Sequence, residues 1–141
     1  MISPFLLAPI VAVFITKLGK LFTIYLSTKK IDLRTALRSG GMPSDHSSGI
    51  VSLATIIGLT EGFSSSIFAL SALMSMLVLY DSVNVRYSSG RQGEAILKLI
   101  DKSGVEFDNL YIARGHTVIE MIVGSLVGLV VGVIVFITTQ N

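Results

Sequence analysis

Between Met121 and Ile137 the chain carries no charged side chain. An apolar run of this length must satisfy its backbone polar groups within itself. An α-helix does so, and about 20 such residues cross a bilayer. The run is expected to start near Thr117, giving a span of about 116–138. Composition agrees: 51% of residues are hydrophobic, 14% are charged and the mean hydropathy is +0.75. A soluble domain carries about 25% charged residues. The fold expected is an all-α, polytopic membrane helix bundle, one domain over residues 1–141.

Three further spans are read at about 2–26, 47–60 and 63–86. The first is apolar from Ile2 and lacks a charged leader and a clear cleavage site, so it is taken as a retained span. Lys17 and Lys20 interrupt it late, either snorkelling or facing a polar cavity. Thr60–Gly62 makes a tight connection, and Ser88-Ser89-Gly90 is expected to break the third span. At about 92–102, Ala95, Ile96, Leu99 and Ile100 repeat at helical spacing. That predicts a short amphipathic helix lying in the interface, in contact with membrane lipids. Gly124, Gly128 and Gly132 recur every four residues, a pattern for close helix contact within the chain or in a homo-oligomer.

All 11 Lys and Arg fall in the first and third loops or in the helix ends beside them. The positive-inside rule then places those loops in the cytoplasm and both termini on the other side. The pI of 9.0 does not signal a nucleic-acid partner, because the basic residues flank apolar spans instead of forming a soluble basic face. With no cysteine, disulfides and thiolate metal sites are excluded.

Two polar segments stand out against this background. Gly40-Gly41-Met42-Pro43-Ser44-Asp45-His46 reads as a tight turn opening a helix near Ser44. The free N–H groups of that helix start suit a phosphate, with His46 beside it. In Gly115-His116-Thr117-Val118-Ile119-Glu120, Glu120 lies one helical turn from His116. It can hold one ring nitrogen and leave the other free to attack. Asp81, Arg86 and Arg91 close the third span, and guanidinium groups suit phosphate. Each feature alone has a plain alternative: a capped helix start, a satisfied His–Glu pair, arginines among headgroups. Together, on one side of the bilayer, they describe a phosphate site.

These segments resemble the type 2 phosphatidic acid phosphatase and vanadium haloperoxidase superfamily, and most closely its divergent, small membrane branch. That branch is marked by Gly-Gly-Met-Pro-Ser-x-His, Tyr-Asp-x3-Val-Arg and Gly-His-Thr-x2-Glu, here Gly40–His46, Tyr80–Arg86 and Gly115–Glu120. The resemblance implies a membrane phosphatase that hydrolyses a lipid or isoprenoid phosphate or diphosphate, with no metal or other cofactor. His116 would be the nucleophile, Glu120 its orienter, and His46 the acid to the leaving oxygen. Ser44 and the turn backbone would hold phosphate oxygens, joined by position by Arg86 and Arg91, with Asp81 as polar support. Asp45 stands where the superfamily commonly has a small residue. The Lys-x6-Arg-Pro motif has no match, and Lys20, Lys30, Arg34 or Arg38 stand in for it. The arginine usually six residues before the nucleophile is Leu110, and Arg114 is nearer.

Two other readings fit parts of the pattern. Asp81-x4-Arg86 resembles the start of a CDP-alcohol phosphotransferase motif, with Asp45 or Glu94 as Mg²⁺ ligands. A non-catalytic module binding lipid phosphate would need only the basic pocket.

Overall fold

A computed structural model describes residues 2–30, 40–104, 112 and 115–139. Arg34, Arg38, Leu110 and Arg114 lie outside the described residues. All described regular structure is helical: α1 (Pro4–Thr28), α2 (Asp45–Glu61), α3 (Ser66–Tyr80), a π-helical turn (Asp81–Val85), α4 (Arg86–Ser103) and α5 (Val118–Thr139).

Local chemistry sets the helix starts. Pro4 occupies the first turn of α1, where its missing N–H costs nothing. Ser44 caps α2 by accepting from Ser47 N–H at 3.3 Å, and Ser65 caps α3 by accepting from Phe68 N–H. Gly62, at φ 87°, follows the last residue of α2 in a conformation that favours glycine.

Among the described residues, three helices have the length and apolarity to cross a membrane: Pro4–Thr28, the continuous Ser66–Ser103, and Val118–Thr139. The segment expected as a second span is α2, whose 17 residues reach about 25 Å, less than a hydrocarbon core of ~30 Å. It sits at the centre, packed against α1, α3 and α5. Among the described residues, three of the expected spans have that length and α2 is the shorter one.

The expected break at Ser88-Ser89-Gly90 is corrected, because α4 runs through it and the surface helix read at 92–102 is the end of a longer rod. Packing overrides the weak helix propensity of Ser and Gly here. Gly115 lies so close that a Cβ on it would strike Tyr87 N, and Ile112 lies over Gly93. The rod departs from α geometry at the π turn instead, where Arg86 N–H reaches back to Asp81 C=O. π turns often mark functional sites.

The glycine repeat faces α2 of the same chain. A Cβ on Gly124 would collide with Ser44 C=O and one on Gly128 with Ser48 C=O, while one on Gly132 would lie 2.9 Å from Ser52 C=O. That surface packs within the chain. Below it, Ala8, Ala12, Ile56, Val131 and Val135 form a small apolar core. Large apolar side chains elsewhere, among them Phe14, Met76 and Leu126, point outward, as helices bathed in lipid require.

Candidate active site

Four helical segments deliver one residue or more to a common space. The late part of α1 brings Lys17 and Lys20, the start of α2 brings Asp45 and His46, and the segment leading into α5 brings His116 with Glu120. The π turn supplies the anchor, as its Ser82 C=O accepts His116 N–H at 3.0 Å. Ser44 N–H donates to Glu120 C=O at 3.2 Å, tying the starts of α2 and α5 together.

Thr117 and Glu120 form a reciprocal cap. Glu120 N–H donates to Thr117 Oγ1 at 3.3 Å, and Thr117 N–H donates to Glu120 Oε2 at 3.1 Å. The same Oε2 lies 3.1 Å from His116 Nδ1. One carboxylate therefore caps the helix and fixes the imidazole, leaving His116 Nε2 bare. The His–Glu pair is legible in the sequence. The Thr-x-x-Glu capping box was missed there, although its spacing announces it.

Asp45 is the hub. Its Oδ2 pairs with Lys17 Nζ at 3.0 Å. Its Oδ1 faces Lys20 Nζ at 3.6 Å, His46 Nδ1 at 3.6 Å and His116 Nε2 at 3.8 Å. Those three atoms and Asp45 Oδ1 are buried without a hydrogen-bond partner among the described residues. Lys20 is 2% exposed and His116 1%. Burying such groups without hydrogen bonds costs about 1–3 kcal/mol each, more when charged, so these four atoms make an unusual concentration of polarity held by charge alone. The two histidine rings lie 5.7 Å apart, centroid to centroid, tilted by 65°. Two histidines 70 positions apart in sequence thus lie side by side.

The other expected site residues divide. Arg86 lines a 320 Å³ pocket with His46, Asp81 and Ser82, and its Nε donates to Asp81 Oδ2 at 2.7 Å. Arg91 lines a separate pocket with Tyr87, Glu94 and Gly115. Five residues along a helix is about 140° around it, so Arg86 and Arg91 cannot share one face. Ser44 is fully buried, and its hydroxyl accepts from Ser47 N–H and Ser47 Oγ. Its role in the structure is the cap. Lys17 was read only as a snorkelling or cavity-facing residue, and nothing in a single helix of sequence says that it meets Asp45.

The model of the family described as divergent PAP2 matches residues 2–131, nearly the whole chain. The chain belongs to the Divergent PAP2 family. It is also 33% identical over 95 residues to the uncharacterized membrane protein YuiD of Bacillus subtilis (strain 168), covering 67% of this chain and 60% of YuiD. The chain thus spans less than two thirds of that relative. No solved structure matches it. Family, relative and three apolar helices agree that this member of the Divergent PAP2 family is an integral membrane protein.

Proposed function

We propose that this protein hydrolyses a lipid or isoprenoid phosphate or diphosphate at the cytoplasmic ends of its helices, through a phosphohistidine on His116. The observation that carries this reading is the convergence of Lys20, Asp45, His46 and His116 on one space, each with a buried polar atom that has no hydrogen-bond partner among the described residues. His116, with Nδ1–H donated to Glu120, presents the Nε2 lone pair to phosphorus. The P–O bond to the leaving group breaks as the N–P bond forms, and His46 gives its proton to the leaving oxygen. A water molecule then attacks phosphorus and loses a proton to His46. The N–P bond breaks, releasing inorganic phosphate and restoring His116. Lys20 and Arg86 stabilise the charge on the transferred phosphoryl group. Lys17 and Lys20 offset the Asp45 carboxylate so that an anion can approach.

One observation favours a second reading. Asp45, His46 and His116 each offer a ligand atom, and these lie within 4.8 Å of one another. A carboxylate behind a ligating histidine, as Glu120 is behind His116, is a familiar support for a bound metal. A divalent cation there would suit the metal-dependent transferase. The buried Lys20 ammonium beside Asp45 opposes it, and Glu94, the other acid considered for that role, lines a different pocket.

Purified protein in detergent should be offered a panel of lipid phosphates and diphosphates with and without a strong chelator. Phosphate release that survives the chelator supports the phosphohistidine route, and loss that Mg²⁺, Mn²⁺ or Zn²⁺ restores supports the metal. No turnover, with vanadate failing to attach to His116, leaves a non-catalytic phosphate-binding module.

A further inference from the structure

α3 and α5 both rest on α2 but hardly touch each other. The gap between them is an apolar groove of about 440 Å³, floored by Val51 and Thr55, walled by Ala72 and Leu129, and stopped by Phe63 and Phe68. Its upper end leads towards the pocket of His46 and Arg86. On α3, Ser75 lines the groove and Val78 lines that pocket, a separation of one helical turn, about 5 Å. The seam over α2 therefore runs from an ionic head site to an apolar end at Phe63 and Phe68.

We infer that this groove holds the hydrocarbon tail of a single-chain amphiphile whose phosphate head sits at His46 and His116, and that Phe63 and Phe68 set the longest tail it takes. This rests on the phosphate reading of the head site. From His46 to Leu59 is thirteen residues of α2, about 20 Å, the reach of an extended palmityl chain. The groove of about 440 Å³ is of the size that one such chain fills. The stop is built: the Phe63 and Phe68 rings meet edge to face at 5.0 Å and 82°. They close over Gly58, where a Cβ would lie 2.6 Å from Phe63 Cε1 and 3.0 Å from Phe68 Cδ2.

The test uses a palmitylphosphonate with a diazirine at its tail end, which cannot be turned over, on the purified full chain in detergent. After illumination, the label is expected on Leu59, Phe63 or Phe68. Label spread over the outward faces of α1, α3 and α5 overturns the proposal. In Ala72→Phe, palmitylphosphonate should bind about tenfold more weakly relative to octylphosphonate, the effect of expelling about two buried methylenes. An unchanged palmityl-to-octyl ratio in a folded variant overturns the proposal too, and the wild-type labelling stands as a test should the variant not fold. Labelling at the stop without hydrolysis of any lipid phosphate keeps the groove and removes the phosphatase. Hydrolysis with label spread outside the groove does the reverse.

Discussion

The N-terminal half of α2 buries Ser47, Ser48 and Ser52, whereas its C-terminal half buries Ile56 and Ile57. Both halves pack against the same neighbours, yet their polar chemistry differs. In the first half the hydroxyls are satisfied locally: Ser48 Oγ donates to Asp45 C=O, Ser52 Oγ donates to Gly49 C=O, and Thr16 reaches across to Ser48 at 3.1 Å. The groups left unpaired are the charged and ring atoms at the tip. In the second half, contacts with Ala8, Val131 and Val135 hold the helices together. One half of the hub carries the polar tip and the other the apolar packing. Mutations among the charged and ring groups at the tip should therefore lower activity, and mutations in the helix contacts along α2 should lower stability.

The sharpest separation is His116→Ala. Removing the nucleophile is expected to lower hydrolysis on the order of 10⁴-fold or more while circular dichroism and thermal stability in detergent change little. Full activity in this variant would end the phosphohistidine mechanism. Gly128→Leu should do the opposite kind of damage. Its side chain would be driven into Ser48 C=O on α2, costing roughly 3 kcal/mol or more, and detergent-extracted protein should aggregate or melt early.

Lys20→Met sharpens the contrast most economically. It removes a buried ammonium that has no hydrogen-bond partner but faces the Asp45 carboxylate at 3.6 Å, so stability should fall modestly, with Lys17 still paired to Asp45. Phosphate release should fall about 10²-fold, as when one donor to a developing anion is removed. A large loss of stability instead would mean that the lysine is structural. The smallest effect is expected of Thr117→Ala, which deletes half of a reciprocal cap and should cost about 1 kcal/mol, read as a lower melting temperature. Because Glu120 also holds His116, a modest fall in turnover should accompany it.

Much of this was legible in the chain. The uncharged run from Met121 to Ile137 and the other apolar runs require a helical membrane fold, and the two polar segments around His46 and His116 mark the site. What was not legible depends on contacts between elements. Whether Asp45 points into the site turns on Lys17 and Lys20 of another helix. Whether Ser88–Gly90 breaks a helix turns on Gly115 and Ile112 returning from far along the chain. A glycine every fourth residue announces a close neighbour without naming it, and here the neighbour is α2. The 17-residue hub could be recognised as central only once three helices were seen leaning on it.

The account depends on His116 Nε2 being the atom that takes the phosphoryl group. Purified protein should be mixed with a phosphorus-labelled lipid phosphate, quenched in alkali during turnover, digested, and mapped by mass spectrometry. The predicted result is a base-stable phosphoryl group on His116, absent from His116→Ala. Continued hydrolysis with no phosphorylated histidine, or with the label on His46, would contradict it.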